Sequence, residues 1–426
     1  MKVVLGEERL IYSVPVNETT NKWGVYAIPR MWRDISGKLI IRLNGEIDCG
    51  DTDHQQAAPN IYFTSEDNGK TWVKEEDGDK KYSINIINGG GSPYTRVEDV
   101  TLAFREMADR ETIKNTIAQK EFLYPNGEAY VKSYRYGDIS DQAKGFERLK
   151  YHNGELEVTP VSFDFPEREI LINSKGFNGE EYVVVEERVK QNIFKYKYFS
   201  EVTPLPDGTL VAISAGQNPE VSDHYSGIVY LVESSDMGLT WKKRSVVAES
   251  KEMPYGFGGD GHEVTMARTE KGTLIVAMRT EMSINPEIAT PICDTFVAIS
   301  HDDGYTWDTP FSISDSSVTP QVMAFENGAV MVVYGRPGVH FKYSLDEGKT
   351  WSKSYAIIGE TLEETRAKGI SDLDSKYADT QSYSNIFIEK LDENRVLVLY
   401  NNMKYKDGDG KNHKAAFVRE VSFTEN

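Results

Sequence analysis

Cysteine is almost absent. The 426 residues include only Cys49 and Cys293, far apart and in no C-x-x-C pair, so neither a thiolate metal site nor a disulfide framework organises the chain. Two free thiols, or one bridge between them, remain. Positive charge is also short: 48 Lys and Arg face 67 Asp and Glu, for a net charge of −19. That denies the chain the basic footprint of a protein tracking nucleic-acid phosphates and the polybasic patch of a membrane-surface binder. Long apolar runs are missing too. No stretch approaches the ~20 residues that span a bilayer, and Glu7, Glu8 and Arg9 interrupt the N-terminus before a leader peptide can form. A cytoplasmic protein is expected, or a secreted one if a leader has been removed. His262-Glu263-Val264-Thr265-Met266 lacks the second His of a zincin, and the Gly-Lys-Thr steps at Gly69 and Gly348 lack the first Gly of a P-loop. The acidic run Glu46 to His54 misses the spacing of a calcium loop. No metal or cofactor is expected. Disorder is excluded by 39% hydrophobic and 11% aromatic residues.

What the chain has in abundance is a repeat. Ser65 to Trp72, Ser234 to Trp241, Ser300 to Trp307 and Ser344 to Trp351 all read S-x-D-x-G-x-T-W. Each residue type has a mechanical reason. Asp accepts backbone N–H bonds inside a tight turn, and Gly tolerates positive φ. The hydroxyls add local bonds, and Trp is a large apolar anchor. Asp67, Asp236, Asp302 and Asp346 are therefore read as structural.

Ahead of each box lie two alternating apolar runs joined by a turn with Gly. The turns are Ser36-Gly37, Asp207-Gly208, Lys271-Gly272 and Asn327-Gly328, and each reads as a two-residue hairpin. Gly37, Gly208 and Gly272 precede Asp67, Asp236 and Asp302 by 30, 28 and 30 residues, while Gly328 precedes Asp346 by 18. Two further hairpins, Phe122 to Tyr134 and Ile386 to Tyr400, lack the box. Six hairpins predict an all-β chain: a six-bladed β-propeller of four-stranded antiparallel sheets, one domain over 1–426. A β-sandwich is the competing architecture. The charged stretch Gly89 to Gln119 breaks the rhythm and is read as an insertion, partly helical.

The four boxes resemble the Asp boxes of the sialidase (neuraminidase) superfamily, and the six-hairpin layout resembles its propeller. The resemblance covers nearly the whole chain. It implies a site at the propeller centre, where three Arg grip a sugar carboxylate, a Glu activates a Tyr nucleophile and an Asp serves as general acid/base. Glu263 and Arg279 match the Glu and an Arg at the two ends of one hairpin. Arg336, in Gly335-Arg336-Pro337-Gly338, matches another Arg, and Tyr383 matches the nucleophile. A neutral phenol avoids the repulsion a carboxylate nucleophile meets at an anionic anomeric centre. The acid/base falls at Asp51 or Asp53. His262, beside Glu263, joins the substrate-binding set.

Two departures stand out. Ala27, in Tyr26-Ala27-Ile28-Pro29, occupies the place of the first Arg, and Leu399-Tyr400-Asn401-Asn402 has Asn where the supporting acid is found. Loss of both together is coherent, since either alone is a poorly paired charge. Arg42 is the candidate replacement. Three readings follow: a retaining exo-glycosidase acting on a terminal acidic sugar, a hydrolase of another uronic or neutral glycoside using carboxylate catalysis with Glu263, or a non-catalytic glycan-binding propeller. A carbohydrate is the expected partner in each, with the oligomeric state open.

Overall fold

The computed structural model describes residues 2–15, 23–25, 29–48, 57–82, 93–106, 117–123, 129–135, 146–164, 167–177, 182–192, 199–217, 227–249, 256–257, 263–281, 294–316, 318–335, 338–369 and 386–424. Each box closes the turn between the third and fourth strands of a four-stranded antiparallel unit. Six four-stranded antiparallel runs can be traced among the described residues, the second and third joined into one eight-stranded sheet by parallel pairing of 162–164 with 240–242. The first holds Arg30–Arg33, Leu39–Asp48, Ala57–Ser65 and Val73–Glu75; the second Tyr94–Val97, Val100–Glu106, Phe146–His152 and Glu155–Asp164. The third holds Phe199–Pro204, Leu210–Gln217, Gly227–Ser234 and Thr240–Glu249; the fourth Val264–Arg268, Leu274–Glu281, Thr295–Ser300 and Phe311–Ser314. The fifth holds Val318–Ala324, Val330–Gly335, Val339–Ser344 and Tyr355–Ile358. The sixth joins Phe387–Asp392, Arg395–Lys406 and Asn412–Thr424 to Lys2–Pro15, which pairs from Lys2 opposite Thr424 to Pro15 opposite His413. The leading strands touch in the order first, sixth, fifth, fourth, third, second. This is the expected all-β propeller arrangement.

The structure corrects three details. The hairpin turns are three-residue loops. Leu205 N–H donates to Thr209 O and Gly208 N–H to Leu205 O, with equivalent bonds at 34–38, 269–273 and 325–329. Gly208 has φ +84°, the left-handed position that ends such loops. The expected insertion at 89–119 contains the two leading strands of the second unit. Its charges (Arg96, Glu98, Asp99) lie at or beside a tight turn, while Leu102, Ala103 and Phe104 are buried. The hairpin expected at 122–134, by contrast, forms its own two-stranded sheet, Ile117–Leu123 with Ala129–Arg135. A second two-stranded sheet, Glu167–Phe177 with Tyr182–Asn192, carries no box; the Asn178-Gly179 step between its strands is a hairpin signal that sequence reasoning passed over.

Alternating strand faces bury apolar clusters between neighbouring units. Clusters fill the junctions between the sixth and first units, the second and third, the third and fourth, the fourth and fifth, and the fifth and sixth. Among the described residues, the junction between the first and second units has no such cluster.

The box network repeats closely. Ser300 Oγ donates to Asp302 Oδ1 and accepts from Gly304 N, while Thr306 N and Oγ1 donate to the two carboxylate oxygens. Burial opposes ionisation of Asp302, but the Thr306 and Ser300 bonds outweigh it and hold the carboxyl at about 2. Thr71's backbone N–H, then its hydroxyl, likewise hold Asp67 well below the usual carboxylate range. The boxes also brace the ring. A Cβ on Gly304 (φ +86°) would lie 2.1 Å from Leu231 of the third unit. Gly304→Ala combines that overlap with left-handed strain and is expected to cost about 3 kcal/mol, read as a lowered urea midpoint.

Candidate active site at the junction of the fourth and fifth units

The hairpin of the fourth unit brings together two of the residues singled out by sequence. Val264 pairs with Met278, so Glu263 and Arg279 sit just beyond that pair, at the end of the unit away from its turn. Arg279 N–H donates to Glu263 O at 3.0 Å. The side chains then meet, Arg279 Nη1 to Glu263 Oε1 at 2.7 Å, each 17% exposed. This is a half-buried, charge-assisted pair rather than a surface ion pair.

The second carboxylate oxygen is held from the next unit. Thr319 N–H donates to Glu263 Oε2 at 2.7 Å. Thr319 is buried and has φ +47°, an uncommon conformation for a β-branched residue. It lies in an irregularity of the ladder between Val318 and Gln321. Below it, Thr265 Oγ1 donates to Pro320 O at 3.1 Å and accepts from Val322 N at 3.0 Å. One threonine hydroxyl thus staples two neighbouring leading strands and fixes the height of Glu263 against Thr319. Strained backbone held by its surroundings beside a charged pair is a common feature of functional sites. Sequence reasoning missed Thr319 and Thr265. The only sequence hint was the Thr-Pro step, which disturbs a strand entry.

Gly335, immediately before Arg336, pairs with Val318, the neighbour of Thr319. Arg336 itself, Asp51, Asp53, His262 and Tyr383 lie outside the described residues. Arg42 is described: it pairs across the hairpin with Arg30 and faces the second unit, lining the cavity between the first two units. Asn401 is fully buried. Asp67, Asp236, Asp302 and Asp346 take the structural turn positions expected of them. Among the described residues no group of three or more metal-ligating side chains converges, and no helix is long and apolar enough to cross a membrane.

Asp boxes, four-stranded units and a Glu–Arg pair at one end of a hairpin define a sialidase-like propeller. The BNR repeat-like domain family matches residues 178–416, and the chain belongs to that family. It is similar to Sialidase-2 of Cricetulus griseus, 25% identical over 240 residues. The match takes in 51% of this chain and 60% of that relative, so the chain spans under two thirds of its length. A Dyadobacter fermentans protein of unknown function has the same fold, with a TM-score of 0.55, 18% identity and coverage of 98% and 99% of the two chains. The alpha-L-arabinofuranosidase Arb93A of Fusarium graminearum aligns over 97% of each chain at 11% identity, with a TM-score of 0.47.

Proposed function

We propose that the protein is an exo-acting glycoside hydrolase of sialidase-like type, which removes a terminal acidic sugar with retention of configuration. The observation that carries this reading is the Glu263 carboxylate, held at one oxygen by Arg279 and at the other by Thr319. Both oxygens act as acceptors, which suits a proton acceptor rather than a proton donor.

In this reading Tyr383 Oη attacks the anomeric carbon and its proton passes to Glu263. The glycosidic C–O bond breaks as Asp53 or Asp51 protonates the leaving oxygen. Water, deprotonated by the same Asp, then displaces the sugar from Tyr383, which recovers its proton. Arg279 and Arg336 hold the sugar carboxylate, because planar guanidinium forks match it better than Lys does. His262, next to Glu263 in the sequence, joins the substrate-binding set in this proposal. A cytoplasmic location is part of the same proposal.

The test is a fluorogenic sialoside assay with NMR observation of the first-formed anomer. Turnover with retention is expected, abolished in Tyr383→Phe. Inversion, or full activity in Tyr383→Phe, overturns the mechanism. Turnover of a uronide or neutral glycoside alone redirects the substrate class.

A further inference from the structure

The junction between the first and second units is built differently from the other five. Apolar clusters fill those five. Here there is a cavity of about 210 Å³ walled by Arg30, Arg42 and Lys81 on one side of the charge balance and Asp34 on the other. That carboxylate is already engaged in its own turn, where Oδ1 accepts from Ser36 N, Ser36 Oγ and Lys38 N.

Arg30 and Arg42 are direct cross-strand partners on one face. Like charges placed so are destabilising. At the corresponding hairpin positions of the fourth unit stand Thr265 and Ala277, which pack against the fifth unit. Two guanidiniums stand where the fourth unit has a threonine and an alanine. Arg30 Nε is buried with no hydrogen-bond partner among the described residues. A carboxylate between the two forks would supply bidentate acceptors and offset the repulsion.

The rest of the wall suits a ring. Trp32, Tyr82, Tyr94 and Tyr151 line the same cavity. Tyr94 and Tyr151 pack edge to face at 6.0 Å, and Tyr82 leans on Tyr62 at 5.8 Å. Burial raises the phenol pKa of Tyr94, Tyr151 and Tyr82, so the ring-facing wall is neutral and does not repel an anion. The volume is below the usual range for drug-sized ligands, which limits the occupant to one ring.

We infer that this cavity is a binding site for a single-ring carboxylate, its carboxylate clamped by Arg30 and Arg42 and its ring set against Trp32 and the tyrosines. The site shares no lining residue with the Glu263–Arg279 pair and does not rest on the glycosidase reading. Acidic monosaccharides and aryl carboxylates share this chemistry.

The test is calorimetric titration of the full chain at low salt with benzoate, glucuronate and N-acetylneuraminate, and with benzyl alcohol and glucose as neutral counterparts. At least one carboxylate is expected to saturate a site about tenfold or more tighter than its neutral counterpart. Arg30→Gln should weaken that component about tenfold or more, while Arg279→Gln should leave it in place. Preference between benzoate and the sugar acids identifies the source. If Arg30→Gln fails to fold, Arg30→Lys keeps the charge without the fork, and the same weakening is expected. No saturable carboxylate binding up to about 10 mM, a dissociation constant too weak to count as a site, overturns the inference. So does binding unchanged in the Arg30 variants, or lost in Arg279→Gln but not in Arg30→Gln.

Discussion

Glu263→Gln is expected to lower kcat/KM on the cleaved glycoside by about 10³-fold, while the thermal midpoint moves by only a few degrees. The carboxylate now serves two neighbours. Arg279 Nη1 and Thr319 N–H each donate to a different oxygen, and a carboxamide can satisfy only one of them as acceptor, turning an N–H towards the other. The variant therefore loses the proton acceptor and disturbs the Arg279 fork together. The loss should fall mostly on kcat, since proton transfer from the nucleophile belongs to the transition state. Arg279→Gln should raise KM more than it lowers kcat, because it removes binding of the sugar carboxylate. Glu263→Asp retracts the carboxylate by one methylene from Thr319 and is expected to behave like Gln. Activity of Glu263→Gln within about threefold of wild type on a substrate that wild type cleaves would falsify the assignment of Glu263 as the proton acceptor.

The fold was legible in the sequence wherever a short motif fixed a local turn. The boxes carry their own geometry: Ser300, Asp302, Gly304 and Thr306 make almost every bond of the turn among themselves. Eight residues therefore announce a strand–turn–strand without help from the rest of the chain. The second unit has no box, and its leading strands at 94–106 were hidden by charges clustered around a tight turn. Their burial depends on Phe104 and Leu102 packing against the third unit, a long-range fact with no local signature. The Glu263–Arg279 pair was readable because both residues end strands of one hairpin, so register alone joins them. Thr319 comes from another unit, and the juxtaposition of Arg30 and Arg42 acquires meaning only once the second unit supplies Tyr94 and Tyr151. Contacts within one hairpin are written in spacing; contacts between units are written only in three dimensions.

Glu389→Gln is expected to stabilise the protein at alkaline pH and leave it unchanged in acid. Glu389 lies on the leading strand of the sixth unit, its side chain 7% exposed and 3.6 Å from Arg33 Nε of the first unit. Phe387, two residues before it on the same strand face, belongs to the apolar cluster between those units. Burial pushes the Glu389 carboxyl up from 4.5 to about 8, and nearby Arg33 only partly opposes this. Arg33 is satisfied elsewhere, donating to Gly37 O at 2.8 Å, Asn68 Oδ1 at 2.9 Å and Lys390 O at 3.2 Å. The folded protein thus binds this proton more tightly than the unfolded chain does. Between 4.5 and about 8 the folded state holds the extra proton, so unfolding free energy falls as pH rises. The stabilisation is complete below 4.5 and gone above about 8. The full span is about 5 kcal/mol at most, since each tenfold difference in proton affinity between the folded and unfolded states is worth about 1.4 kcal/mol. A neutral amide of the same shape avoids the charging penalty. Urea unfolding at pH 5 and at pH 8.5 should show the variant matching wild type in the first case and exceeding it by about 2 kcal/mol in the second. A wild-type chain whose stability is flat across this range, or a variant destabilised equally at both pH values, would mean that Glu389 stays ionised and that its contact with Arg33 holds the first and sixth units together.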